Sequence, residues 1–527
     1  MLLFMNGIIG DWQIFLPAIW LLLGAGIALS IELSTDDPKK VSGAVFYAAI
    51  GGVLLALLTT LAYWNSFAET PNFSHELWLL NGVVVDEFGM LLCTAILFGT
   101  AICCFSSATV VDKLKITMAD YLALVLVAAT GMVLLVVSND LIMIFLSVEL
   151  MSLGIYVLAG TNRNSSRSAE SAMKYLVMGA FASGFILFGM ALIYGTTGAI
   201  TLPEVSHALA NMDTAVWGKL PLLGVAMIVI GLIFKVGGVP FHQWVPDVYT
   251  GAPTPVTGLM AVAVKTAAFG AFVRLALTLM PHGAAYEIYS GPGLTILIIV
   301  SGVTMVIGNW IALTQTNIKR MLAYSSIAHS GYLLMGLIAA LSVPADQSAG
   351  LGALGFYLVV YVFGTGGAFA LIEYCTNDRE SDDMRDLQGL AWRRPASAVA
   401  MTVFMLSLAG IPLTGGFFGK YYLFKTAIDA DLMALAFVGI LASIAGAYYY
   451  LRVIVVMYMK ERREGEAPMQ ADAWGVKFAL TISAFATLYL GVAPASLLNQ
   501  ADAASKGLVD REYKEIIEKH NPTLAEK

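Results

Sequence analysis

Apolar residues come in long blocks along this chain, separated by short polar stretches. A bilayer core about 30 Å thick calls for roughly 20 predominantly apolar residues per helix. Blocks of that kind lie near 11–33, 42–64, 86–107, 118–138, 140–160, 173–197, 219–243, 255–281, 290–314, 321–342, 351–376, 397–427, 433–458 and 475–496. They predict an all-α, polytopic membrane protein with about 14 transmembrane helices and no soluble domain. The longest polar pieces are the 377–395 loop and the tail, whose charged stretch SKGLVDREYKEIIEKH fits a surface helix without evident chemistry.

Two blocks look interrupted. The seventh reads GLIFKVGGVPFHQWVPDVY and the twelfth SLAGIPLTGGFFGKYYLF, each with glycines beside a proline. Proline removes a backbone donor and clashes with the preceding turn, so it breaks or kinks a helix. Such backbone survives at membrane depth only inside protein or beside a wet cavity. The two breaks lie five blocks apart, as do Glu149 in SVELMSLGIY and His329 in SSIAHSGY. An odd spacing inverts the second copy in the membrane, an arrangement that transporters build around an ion pathway.

Composition narrows the function. With 58% hydrophobic and 12% charged residues among 527, the chain has too few charges to cover a soluble surface. A balance of 29 basic against 36 acidic residues argues against a nucleic-acid partner. Cys93, Cys103, Cys104 and Cys375 fall in apolar runs and read as small buried hydrophobes, without the spacing of a haem, metal or iron–sulfur site. No dinucleotide or phosphate loop is visible. The first apolar run lacks a basic leader and a cleavage site and reads as a retained span. Alternate loops carry Lys39, Lys40, Lys113, Lys115, Arg163, Arg167, Lys319, Arg320, Arg379, Arg385, Arg393, Arg394, Lys460, Arg462 and Arg463, whereas loops such as 65–85 and 343–350 carry almost no lysine or arginine. The positive-inside rule makes the basic face cytoplasmic and puts both termini on the outer side.

The chemistry lies in charges that a membrane helix should not hold. Glu149 is roughly 14 Å deep in its helix at 1.5 Å per residue, and Lys265 is at similar depth in VTGLMAVAVKTAAFGAFVRL. Lys235 and Lys420 sit beside the two breaks. A charge at the midplane costs at least about 2.5 kcal/mol, so it calls for a partner, water or a function. Burial disfavours the charged form and a nearby opposite charge restores it, so such groups can be switched. Bridged by waters and hydroxyls, they form a proton relay, with His329 as a natural intermediate because an unperturbed imidazole changes charge near neutrality. His329 itself, Lys174 at the start of its helix and His242 at the seventh break are each read equally as structural groups or relay members. Lys425 and Arg274 lie near helix ends and are expected to snorkel to the interface. Asp247 and Glu204 read as loop-proximal groups needing no special account. The methionines read as core filler.

The run GLIFKVGGVPFHQWVPDVYTGAPTPVTGLMAVAVKTAAF resembles the signature of the antiporter-like membrane subunits of respiratory complex I, the proton-pumping NADH–quinone oxidoreductase. NIKRMLAYSSIAHSGYLLMG and LSLAGIPLTGGFFGKYYLF are similar to two further signatures, and SAMKYLVMGAFASGFILFGMALIYGTTG resembles the subunit N branch. The likeness covers roughly residues 85–460. It implies fourteen helices, with helices 4–8 (118–281) and 9–13 (290–458) as inverted repeats. A three-helix segment (1–117) would precede them, and the last helix with its tail (459–527) would follow. It also implies a proton relay in which Glu149 pairs with Lys235, Lys265 is central and Lys420 lies near the outward exit. Lys174 matches an early sixth-helix lysine of subunit N. The relay would serve redox-driven proton translocation with no cofactor in this chain. FMN, iron–sulfur clusters and quinone would belong to partner subunits. The partners implied are subunits K, M, L, J, A and H, the hydrophilic arm and the lipid bilayer of a bacterial inner membrane. An Mrp-type cation/proton antiporter subunit is the alternative reading, since it shares this ancestry.

Overall fold

The computed structural model describes residues 15–35, 37–69, 82–212, 217–280, 286–343, 347–375, 382–461 and 474–520. Arg379, Arg462, Arg463 and positions 11–14 of the first block lie outside them. The described chain is helical, and 12 of its helices are long and apolar enough to cross a membrane. In order they include α1 (Leu16–Leu33), α2 (Pro38–Glu69), α3 (Glu87–Leu114), α4 (Met118–Val137), α5 (Leu141–Ala159) and α6 (Ser166–Thr197). The seventh crossing, α7, is made of two pieces, Leu220–Val236 and Trp244–Gly251. Then come α8 (Thr254–Leu279), α9 (Tyr286–Ala312), α10 (Ile318–Ser342) and α11 (Ser348–Cys375). The twelfth crossing, α12, is again two pieces, Pro395–Ala409 and Gly415–Asp429. α13 (Met433–Met459) and α14 (Trp474–Val492) complete the crossings, and α15 (Pro494–His520) follows. The two interrupted helices bring the crossings to the fourteen expected.

Both breaks are built alike. The first piece of α7 ends at Gly237, whose φ of 73° is the left-handed region that glycine enters without strain. The first piece of α12 ends at Gly410, with φ 83°. In each the chain folds back on the last turn: Gly238 N–H donates to the Ile233 carbonyl at 2.8 Å and Ile411 N–H to the Leu406 carbonyl at 2.9 Å. The carbonyls freed at those ends accept from side chains instead, Val236 from Ser330 and Leu408 and Ala409 from Lys420.

Three features differ from expectation, the first being that α3 runs on to Leu114 rather than ending near 107. α6 starts at Ser166 rather than near 173, because the polar run SRSAES forms helix ahead of the apolar block. Lys174 therefore sits two turns inside its helix. The tail forms a helix that is docked rather than free: α15 packs on α3 and α11 through fully buried Ala501, Ala504 and Leu508.

Apolar helices that touch lipid are buried on one side only, whereas α8 and α11 are enclosed on all sides and α10 nearly so. These three form the centre of the bundle and carry Lys265 and His329.

Candidate functional site

Lys235 stands on the last turn of the first piece of α7. The helix dipole makes that end negative and suits a cation. Its Nζ donates to Ser152 Oγ of α5 at 2.8 Å. The expected ion pair with Glu149 is not formed: Glu149 is close enough for its charge to act on Lys235, but the hydroxyl one turn further along α5 takes the hydrogen bond. Glu149 lies at the rim of the outward face of α5, among the exposed Ile142, Leu146, Leu153 and Val157. Its Oε1 is buried without a hydrogen-bond partner.

Lys265 follows a π-helical turn, Met260–Val264, in the middle of α8. Such a turn inserts one residue into the helix and is frequent at functional sites. Lys265 Nζ donates to the carbonyl and the hydroxyl of Ser326 on α10, both at 2.5 Å, and lies 5.4 Å from the centre of the Tyr361 ring of α11. Lys235 and Lys265 line one cavity, together with Trp244, Tyr249, Met260 and Ser326. It has about 10 Å³ of room for the centre of a water molecule, enough for one.

Lys420, in the second piece of α12, reaches back to the end of the first piece. Its Nζ donates to the last carbonyls, Leu408 at 2.9 Å and Ala409 at 3.2 Å, and to Ser443 Oγ at 2.8 Å. It also sits 5.2 Å from the centre of the Tyr332 ring. Lys235 precedes its break and Lys420 follows its own, so each cation is held at the C-terminal end of a first piece.

His329 on α10 lies between the two later lysines, and the charges of both reach it. Its Nδ1 meets Tyr357 Oη at 2.5 Å and its Nε2 meets Tyr450 Oη at 3.0 Å. Tyr450 in turn bonds Ser325. A hydroxyl can donate or accept, so this ring is held in either tautomer or with both protons.

The structure thus brings Glu149, Lys235, Lys265, His329 and Lys420 into one series across the bundle. Among the described residues no carboxylate lies within ion-pair distance of Lys235, Lys265 or Lys420. Hydroxyl and carbonyl oxygens satisfy them instead. Lys174 stands apart, half-exposed, held by Glu170 at 2.6 Å and Asp247 at 2.8 Å. Asp247 also binds Arg320 at 3.0 Å. Read from the sequence as needing no account, it ties α6, the second piece of α7 and α10 together. His242 is half-buried and its Nδ1 has no partner.

Arg274 corrects another expectation. It does not snorkel but is fully buried, with Nη2 2.7 Å from Asp86 Oδ2 and Nε donating to the Val136 carbonyl at 2.7 Å. The segment before α3 encloses that end of α8, so the interface is out of reach. Lys425 does remain exposed, 3.8 Å from Asp429. Sequence reasoning also missed the hydroxyl partners Ser152, Ser326, Tyr357, Tyr361, Tyr450 and Ser443. The polar run SSIAHSGY was the one visible signal.

Known proteins resemble this chain in sequence and in fold. Residues 138–446 match the family described as NADH:quinone oxidoreductase/Mrp antiporter, TM. NADH-quinone oxidoreductase subunit N of Myxococcus xanthus is 38% identical over 525 residues, covering 94% of this chain and 98% of its own. Among solved structures, a chain of respiratory complex I from Thermus thermophilus is 31% identical with a TM-score of 0.74, over 92% of this chain and 98% of that one. A chain of the Mrp complex from Dietzia shares the fold, with a TM-score of 0.78 at 22% identity over 96% and 99% of the two chains. This chain belongs to the NADH:quinone oxidoreductase/Mrp antiporter membrane family, within its NADH-quinone oxidoreductase subunit N branch.

Proposed function

We propose that the chain moves protons across the membrane as a non-redox subunit of an NADH–quinone oxidoreductase, along the series Glu149, Lys235, Lys265, His329 and Lys420. The observation that carries the proposal is the cavity shared by Lys235 and Lys265, continued by a histidine that both Lys265 and Lys420 influence. Water in the cavity links the first two amines, and Ser326, the tyrosine hydroxyls and His329 continue toward Lys420. Each lysine can lose or gain a proton without stranding a carboxylate. Electron transfer, with its flavin, iron–sulfur clusters and quinone, belongs to partner subunits on this reading. The family branch favours it over an Mrp-type antiporter.

The basic loops mark the cytoplasmic face of a bacterial inner membrane, with both termini outside. Residues 118–281 and 290–458 read as inverted five-helix repeats, supported by the matching breaks at Gly237 and Gly410. Lys174 is a boundary group at the basic face, tied to Asp247 rather than to the central series. Partners are the other membrane and hydrophilic-arm subunits. Glu149, at the rim of an exposed face, is placed to meet one of them.

The test is NADH-driven proton pumping in vesicles carrying Lys265→Ala, with assembly followed on native gels. The expected result is strongly reduced pumping in an intact complex. Full pumping with intact assembly would overturn the reading.

A further inference from the structure

The relay described above touches only one end of α11 and leaves its Thr365 and Glu373 without a part. Tyr357, Tyr361, Thr365, Phe369 and Glu373 recur every four residues, so each lies about one turn from the last and the stripe winds about 40° round the helix per step. The helix is enclosed on all sides, so this stripe faces protein along its whole length. One end meets the relay: Tyr357 bonds His329, and the Tyr361 ring lies beneath Lys265. The Tyr361 hydroxyl lies near both Ser326, which Lys265 binds, and Thr365, yet completes a hydrogen bond with neither. Thr365 Oγ1 is likewise buried without a partner. A buried hydroxyl that bonds nothing carries a desolvation cost of about 1–3 kcal/mol. Two on successive turns call for an explanation.

The other end points to the basic-loop face. Glu373 is buried two residues before the end of α11, and its charge reaches Tyr121 of α4. The Tyr121 hydroxyl is also buried without a hydrogen-bond partner. Between Glu373 and Thr365 the stripe is broken once, by Phe369. A second cavity opens there, between α3, α8 and α11, again with about 10 Å³ for a water centre. Cys103 and Ser106 give it polar atoms, and Phe369 and Gly366 form its α11 wall. Leu259 and Val262, at the π-helical turn that precedes Lys265, border the same cavity. One turn of α8 therefore lies between two water-sized spaces, one shared with Lys235 and one walled by Phe369.

We propose that the α11 stripe is a proton inlet from the basic-loop face to Lys265. It runs from Glu373 past Phe369 by water in the second cavity, then through Thr365, Tyr361 and Ser326. A proton added to each hydroxyl oxygen is matched by release of that hydroxyl's own proton to the next. No bond to carbon changes, and the stripe returns to its starting state once its hydroxyls turn back. Phe369 is the one apolar step, so the path conducts only while water bridges it. The inference rests on the relay reading and deepens it by naming how Lys265 is supplied.

The test uses the assembled complex in reconstituted vesicles and measures NADH-driven pumping and NADH oxidation together. The variants are Thr365→Val, Thr365→Ser, Glu373→Gln and Lys265→Ala. Thr365→Val removes only a hydroxyl that bonds nothing, so a structural role predicts unchanged or improved stability with unchanged pumping. The inlet predicts a severalfold fall in pumping with intact assembly, recovery in Thr365→Ser, and a similar fall in Glu373→Gln. If Lys265→Ala abolishes pumping while Thr365→Val and Glu373→Gln pump normally, the inlet is wrong and the relay stands. If Lys265→Ala itself pumps normally, the relay fails and the inlet falls with it. If Thr365→Ser is as impaired as Thr365→Val, the hydroxyl is not what matters and the inlet is overturned.

Discussion

Replacing Arg274 by methionine tests the burial geometry most directly. Arg274 and Asp86 are both buried, with 2.7 Å between Nη2 and Oδ2. Methionine keeps much of the aliphatic bulk but leaves the Asp86 carboxylate without its cation. Breaking a buried pair from one side typically costs about 3–5 kcal/mol, because the remaining charge stays desolvated. The hydrogen bond from Nε to the Val136 carbonyl adds about 1 kcal/mol. The loss falls on the packing of α3, α4 and α8 together, at the end of the helix that carries Lys265. Arg274→Met should therefore reduce the heat resistance of the assembled complex, seen as subunit loss on native gels after a temperature ramp. Asp86→Asn in the same chain removes the stranded charge. It also keeps a side-chain oxygen to accept the Gly89 N–H at the start of α3, a bond of 2.6 Å in the parent. Arg274 Nη1 already lacks a partner, so the parent pair is itself imperfect and the double variant should recover much of the loss. An Arg274→Met complex as heat-resistant as the parent would refute the reasoning. So would a double variant no better than Arg274→Met alone.

Five further substitutions separate the central series from its surroundings. Lys235→Ala and Glu149→Ala should each impair NADH-driven pumping with assembly retained on native gels, and Ser152→Ala should do so more mildly, since it removes one partner of Lys235 rather than a charge; normal pumping in both Lys235→Ala and Glu149→Ala would count against the series. Lys420→Met should cut pumping strongly, whereas Lys425→Ala, an exposed cation weakly paired with Asp429, should pump within about twofold of the parent, as expected for a surface pair worth about 0–1 kcal/mol; equal effects at both positions would sink the assignment.

The bilayer made the architecture legible. Fourteen blocks of spanning length, two of them interrupted in their interior by proline near glycines, admit few other folds, and the breaks fall where Pro240 and Pro412 announced them. The ionisable residues were legible because a charge inside an apolar block stands out. Their partners were not. Glu149 was the obvious mate for Lys235, but side-chain geometry on α5 gives the hydrogen bond to Ser152, and no pattern in the sequence ranks a serine above a glutamate. The π-helical turn before Lys265 adds one residue to a helix that is buried all round, where no apolar–polar period exists to reveal a slip. For the same reason the α11 stripe was hidden, although its four-residue spacing is plain once the helix is known to be enclosed. Arg274 and Asp247 were misread because proximity to a helix end was taken as exposure, and partners far along the chain decide otherwise.

The absence of carboxylates beside the three lysines bears on how a relay could be driven. In a tight ion pair, removing a proton from the amine strands its partner, so the pair resists change. Around Lys235, Lys265 and Lys420 the acceptors are neutral oxygens. A serine hydroxyl that accepts from an ammonium can rotate and donate to the neutral amine, so both states are satisfied locally. What then sets each proton's occupancy is the charge of the next group along. Two unit charges about 10 Å apart interact by about 1.7 kcal/mol at an effective dielectric near 20. That is more than a tenfold bias, enough for a change at one member to favour transfer at the next. Glu149 opens the series and lies at the rim of an exposed face with one oxygen unpartnered. On the proposed reading, a neighbouring subunit that moves a charge toward or away from Glu149 would set the state of Lys235, and through the shared cavity that of Lys265. A drive of this kind needs no redox centre in the chain. It makes Glu149→Gln informative beyond Glu149→Ala: with shape kept and charge lost, pumping should still fall, whereas a purely structural glutamate would tolerate the amide.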